Sequence, residues 1–306
     1  MGDGSLLRVS DDLVPDDLWE CVAPLLPPRP PRRRRYPGRL PAVDRAAVRG
    51  IIYVLCKGVS WADVPAERVG CSGVTAWRRL RDWTEAGVWP RLHEVLLAEL
   101  RAAGLLDMDD AAVDGSHVRA LKGGSHRTFA GRPRASGQQA PPDHRHGTPL
   151  PISLTGGNRH DVTQLMPLLD AIPRIRGVRG RPRHRPGRLF ADRGYDYDKY
   201  RRLLRARGIT PKIARKGTPH SSGPGKTRWV VACTFAWLHQ LKRLRICKEI
   251  RPTSTSACSN SCNITCLWRL RPHSDKISKQ LPVFAVPHAM VTAGASAVKP
   301  DVQFAP

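Results

Sequence analysis

Apolar positions along this chain follow two different periods. Up to about residue 104 they recur at helical spacing. Leu13, Leu18, Val22, Leu25 and Leu26 do so over 11–26, with Asp11 and Asp12 placed to cap and Pro27-Pro28 placed to stop a helix. Ala46, Ala47, Val48, Ile51, Ile52 and Leu55 give an inward stripe over 43–57, broken at Gly58. Trp61, Val64 and Pro65 mark a short second element. Ser72 is an N-cap for a helix to about Gly87, with Val74, Trp77, Leu80 and Trp83 on one face and Arg78, Arg79 and Arg81 on the others. A further helix over 89–103 carries Leu92, Val95, Leu96 and Leu100, and Gly104 is placed to end it. Helix, short element, turn and Arg-bearing helix make a helix-turn-helix outline. An ordinary helical bundle with a solvated Arg face fits the same pattern.

Past residue 104 the period shortens. Apolar runs at 111–113, 150–154, 188–191 and 209–214 read as strands, interleaved with helical patterns at 161–170, 196–207 and 227–244. That alternation predicts an α/β domain with an open sheet. Residues 27–41 are rich in Pro and Arg and read as a basic arm. Residues 172–187 read as a basic loop. Residues 123–147 have almost no apolar periodicity, and Pro141 and Pro142 would each remove a donor from a central strand. Residues 252–263 are nearly all Ser, Thr, Cys and Asn, and 281–306 show no assignable period. No internal repeat is present.

Charge narrows the function. The 306 residues carry a formal net charge of +25, and the isoelectric point is near 10.8. Arg32, Arg33, Arg34 and Arg35 form one run, and Arg174 to Arg188 another cluster. A GC-rich genome enriches Arg but does not by itself leave so large a surplus. The balance points to nucleic acid as the partner. Eight scattered Cys with no signal-like start predict reduced thiols and a cytoplasmic location. No apolar run approaches the ~20 residues of a membrane helix, so no membrane partner is expected. A Walker-type phosphate loop is missing, so neither is a nucleotide cofactor.

Two aspartates carry the candidate chemistry. Asp114 follows Ala111-Ala112-Val113, and Asp192 follows Leu189-Phe190-Ala191. Carboxylates at strand ends suit Mg²⁺ or Mn²⁺, which take hard oxygen ligands and promote phosphoryl transfer in pairs. The two lie 78 positions apart, so only a fold can join them. Each alone fits a turn equally well. Cys258, Cys262 and Cys266 match no common zinc spacing. His144, His146 and His160 read as loop residues. His117 has either a substrate contact or a local structural role.

The chain resembles bacterial insertion-sequence transposases of the DDE class, in the subgroup with a compact helical N-terminal domain. The motifs are Leu18-Trp19-Glu20, Tyr36-Pro37-Gly38-Arg39, Gly58-Val59-Ser60-Trp61-Ala62-Asp63-Val64-Pro65 and Trp77-Arg78-Arg79-Leu80. They continue with Val113-Asp114-Gly115-Ser116-His117-Val118, Ser153-Leu154-Thr155-Gly156-Gly157-Asn158-Arg159, Ala191-Asp192-Arg193-Gly194-Tyr195-Asp196 and Arg228-Trp229-Val230-Val231. The likeness runs from about residue 11 to 246.

The resemblance implies an α/β, ribonuclease-H-like catalytic core over 107–246, preceded by an all-α, helix-turn-helix-like DNA-binding domain over 1–106. Asp114 would end the first strand and Asp192 the fourth, and both would hold Mg²⁺ or Mn²⁺. The third acid would be a Glu four positions after Arg228, where this chain has Ala232. Glu249 is 17 positions further on, over four helical turns away. Arg32, Arg33, Arg34, Arg35, Arg78, Arg79, Arg81, Lys122 and Arg228 are the expected DNA contacts. Double-stranded DNA, as element inverted repeats and target, would be the partner, and a homo-oligomer is compatible with that. The segment 125–147 departs from the pattern where the second core strand is expected. The tail 247–306 reads as irregular and out of frame. The expected activity is metal-dependent strand cleavage and transfer, impaired by Ala232. The alternatives are a non-catalytic DNA-binding remnant and an unrelated metal-dependent nuclease.

Overall fold

The structure is a computed structural model. It describes residues 13–29, 31, 34–35, 40–120, 148–152, 155–156, 160–217, 241–247, 264 and 282–291.

Helical periodicity in the first third becomes five helices: α1 (Asp16–Val22), α2 (Asp44–Lys57), α3 (Ala66–Val69), α4 (Gly73–Glu85) and α5 (Val88–Ala102). The first is shorter than the 11–26 expected. Pro15 is its N-cap, and a separate 3-10 turn takes Ala23–Leu25, because Pro24 disrupts regular α-helical bonding there. All six apolar residues expected inside α2 are buried. Gly50 lets α2 cross α4 closely, since a Cβ there would lie 2.9 Å from Ala76 Cβ. Ser72 caps α4 by accepting from Thr75 N at 3.3 Å. Gly73 admits no side chain, because a Cβ would land on the Trp61 carbonyl oxygen.

The inner face of α4 differs from the expected one. Ala76, Leu80 and Trp83 are buried, while Val74 is 52% exposed. Spacing explains this: 76, 80 and 83 follow the i, i+4, i+7 stripe, which turns 74, 78, 81 and 85 outward. Val74, Arg78, Arg81 and Glu85 are all exposed.

The rest is a sheet flanked by short helices. Its strands are β1 (Asp110–Ala120), β2 (Thr148–Ile152), β3 (Thr155–Gly156), β4 (Arg188–Ala191), β5 (Thr210–Ile213), β6 (Ile246–Cys247) and β7 (Pro282–Val291). The order is β2-β7-β1-β4-β5, with β3 beside β7 and β6 beside β1. Every strand pairing in this sheet, among the described residues, is parallel. Helices α6 (Leu165–Asp170) and α7 (Asp198–Ala206) connect strands, and a one-turn α8 (Lys242–Arg245) precedes β6. Buried residues of the N-terminal helices and of the sheet form one contiguous core, from Val14 to Ile264. No helix among the described residues is long and apolar enough to cross a membrane.

Two expectations are corrected here. The 247–306 tail is not irregular throughout, because β7 lies between β1 and β2 and pairs with β1 from Ala112 to Ala120. Its mostly apolar run lacks alternation, which makes it hard to recognise by period. Second, Asp114 does not end the first strand, because β1 continues six residues further to Ala120. The segment 123–147, the Ser/Thr/Cys/Asn stretch and the helix expected over 227–240 lie outside the described residues.

Candidate active site

Parallel pairing sets the site. The register aligns Asp110 with Arg188 and continues to Val113 with Ala191. One step further, Asp114 stands beside Asp192, the first residue past β4. Neighbouring strands lie about 5 Å apart, and residues in register point to the same face. The 78-residue separation in sequence therefore closes to adjacent positions in the fold.

Local hydrogen bonds orient both carboxylates. Asp114 Oδ1 accepts from Gly115 N at 2.8 Å. Asp192 caps the 3-10 turn Arg193–Tyr195, its Oδ1 accepting from Gly194 N at 2.9 Å. A side chain at 194 would lie 3.0 Å from that oxygen. One oxygen of each carboxylate is thus engaged by its own backbone, and the turn chemistry of Asp-Gly and Asp-Arg-Gly serves orientation.

Sequence patterns assigned no role to four further residues, Tyr195, Asp161, Asp196 and Arg201. Tyr195 is 2% exposed, and its hydroxyl has no hydrogen-bond partner among the described residues. Burial, and then the charges of Asp161, Asp114 and Asp192, push the phenol up from its ordinary range. Asp161 opens a 3-10 turn, Asp161–Gln164, that packs on the Arg193–Tyr195 turn. An acid at the start of a helical pattern just after the Gly156–Arg159 motif was the available signal. Asp196 and Arg201 are a buried pair, 2.7 Å apart. Arg201 also donates to Ile213 O of β5 at 2.7 Å, and Asp196 accepts from Lys216 N at 2.8 Å. This network fixes the turn after Asp192 to α7 and to the end of β5. Burial alone would raise the Asp196 carboxyl, but the Lys216 amide, Arg201 and Arg215 outweigh it and hold it below the usual aspartate range.

Asp114 and Asp192 fit a hard divalent ion as two of its oxygen ligands. Among the described residues, no group of three His, Cys, Asp or Glu side chains stands close enough to hold an ion. Ala232, Lys122 and Arg228 lie outside the described residues, as do His144 and His146. The His160 carbonyl accepts from Thr163 N and Oγ1, a turn role. Cys21, Cys56 and Cys71 form no disulfide among the described residues; Cys21 donates to Glu99 and Cys71 to the Ala46 carbonyl.

The expected DNA contacts separate into classes. Arg34 and Arg35 are exposed, and Arg32 and Arg33 lie outside the described residues. Arg78 is exposed on the outer face of α4 with no ion pair among the described residues. Arg79 is partly buried and pairs with Asp44 at 3.4 Å. Arg81 pairs with Asp82 at 2.8 Å and lies over the Trp77 ring, 5.6 Å from its centroid.

Comparison with known proteins decides the family. Residues 106–258, half of the chain, match the family described as "Transposase DDE domain". The chain belongs to the DDE transposases. Residues 14–93 of this transposase match a second family, described as "Putative transposase of IS4/5 family". The helices from α1 into α5 and the strands from β1 to β6 thus fall under two separate family descriptions, with β7 outside both. It is 58% identical over 113 residues to the "Insertion element IS402 uncharacterized 16.2 kDa protein" of Burkholderia cepacia, covering 37% of this chain and 76% of that protein. It is 60% identical over 106 residues to the "Putative transposase for insertion sequence element IS402" of the same organism, covering 35% of this chain and 50% of that protein. This transposase therefore spans only half the length of the second relative. No solved structure matches it.

Proposed function

We infer that this transposase acts on duplex DNA at the ends of an insertion element. Asp114 and Asp192 are two carboxylates of its divalent-metal centre, and Ala232 leaves its cleaving chemistry impaired. The register that brings Asp114 beside Asp192 carries this reading. It also supports a ribonuclease-H-like core, with the first acid on the first strand and the second directly after the adjacent fourth strand. That core takes in 107–246 together with β7, and the helices of 1–106 bind element-end DNA.

The residues have distinct tasks. Gly115 N and Gly194 N hold the two carboxylates in fixed orientation. The Asp196–Arg201 pair locks the turn that carries Asp192. When bound, Mg²⁺ or Mn²⁺ supplies Lewis-acid charge at the scissile phosphate. Arg78 on α4, with the basic arm at 32–35, Lys122 and Arg228, supplies positive charge to the DNA backbone. Arg79 and Arg81 already have acidic partners and contribute less.

Metal-dependent cleavage of DNA carrying the flanking inverted repeats tests the reading, with the chain as written beside Ala232→Glu. Ala232→Glu should cut faster by orders of magnitude, because a third oxygen ligand restores both charge and geometry. Asp114→Asn in that background should abolish the gain. Equal cutting by the unmodified chain would overturn the impairment. Binding without cutting by either form would favour the non-catalytic remnant. Cutting that ignores paired ends would favour an unrelated nuclease.

A further inference from the structure

The basic loop between α6 and β4 is a defined element. Ile175 and Arg183 form an antiparallel bridge, with N–H to O=C distances of 2.8 and 3.0 Å. Ile175 is fully buried, which anchors the base of the loop. Arg101 of α5 donates to the Ile175 carbonyl, and Gly177 lies directly against the Arg101 side chain. Arg183 pairs with Asp109 at 2.7 Å. Gly180 turns the tip with a φ of 86°, a conformation that suits glycine.

The anchored loop presents unneutralised charge. Arg174, Arg176, Arg179 and Arg181 are exposed and make no ion pair among the described residues. By contrast, Arg183 and Arg188 are paired to Asp109 and Asp110. Partial burial, and then Arg185, Arg174 and Arg181, lower His184 from its ordinary range, which fits a concentrated positive potential.

Position separates this surface from the aspartate pair. The loop leads into the start of β4 and is tied to Asp109, just before β1. Asp114 and Asp192 lie about four residues along those strands, or about 13 Å away. A phosphate on the loop is therefore not the phosphate at the aspartates.

We propose that Arg174, Arg176, Arg179 and Arg181 form a second DNA site that grips the duplex backbone away from the cleaving centre. This deepens the reading that the chain acts on DNA and rests on it. Guanidinium groups suit phosphate oxygens, and exposed arginines flanking both the base at Ile175 and the tip at Gly180 can contact successive phosphates. Such contacts carry no base readout.

The test is duplex binding by the full chain across a salt series, on an inverted-repeat DNA and on an unrelated duplex. Replacing all four arginines with Gln should weaken binding to both duplexes by the same factor. It should also reduce the slope of log affinity against log salt by about 3–4. Replacing them with Lys should keep the slope, since the charges remain. Circular dichroism and thermal unfolding should match the parent, because none of the four makes a packing contact that the fold needs. An unchanged slope in the Gln variant, with parental binding intact, overturns the loop site alone. No duplex binding by the parent overturns the DNA reading, and the loop site with it.

Discussion

Asp196 and Arg201 expose only 6% of their side chains each, so their charges depend on one another. Replacing Asp196 with Asn leaves a buried guanidinium uncompensated and should cost about 3 kcal/mol at pH 7. The pH dependence has a definite sign. Asp196 has a depressed folded-state pKa, so its contribution is complete above the unfolded value near 4 and drains away as pH falls below it. Urea unfolding at pH 7, 4 and 3 should show this loss in the parent and a flatter profile in Asp196→Asn. Tyr195 gives the opposite case. Its hydroxyl is buried with no hydrogen-bond partner among the described residues, so Tyr195→Phe should leave stability unchanged or raise it by up to about 1 kcal/mol. A fall in melting temperature would show that the hydroxyl makes a bond of value. Both residues sit inside a motif visible in the sequence, Asp192 to Asp196. Their roles were not visible, because burial and pairing with α7 and β5 depend on the tertiary fold.

Among elements, α4 has a packed face and an exposed basic face. Ser72→Ala removes the bond to Thr75 N and should cost about 1 kcal/mol, read by denaturant unfolding. Gly73→Ala should be far worse, because its Cβ meets the Trp61 carbonyl oxygen. Arg78→Ala should weaken DNA binding with little effect on stability. Arg79→Ala should do the reverse, since Arg79 pairs with Asp44 at the α2–α4 crossing. Equal effects of the two on DNA affinity would contradict this division. Helical spacing located α2, α4 and α5 to within two residues, because each has a strong apolar stripe. It misassigned Val74, since a valine next to Trp77 and Leu80 looks inward until the stripe is fixed by Ala76. It missed β7 for a different reason: a mostly apolar run interrupted by Pro287 and His288 shows no alternation to detect, and only pairing with β1 identifies it.

For the whole molecule, the two aspartates were legible as a candidate pair, but the geometry that makes them neighbours was not. The Asp114 and Asp192 motifs stood out, yet only the parallel β1–β4 register makes them neighbours. The excess of positive charge was legible too, while its division into paired and unpaired arginines required the fold. The most direct test is Mn²⁺ binding, followed by electron paramagnetic resonance on the full chain, Asp114→Asn, Asp192→Asn and Ala232→Glu. Each Asn variant should lose at least about tenfold in Mn²⁺ affinity, and Ala232→Glu should gain by a similar factor. Unchanged Mn²⁺ binding in both Asn variants would contradict the assignment of Asp114 and Asp192 as the metal centre.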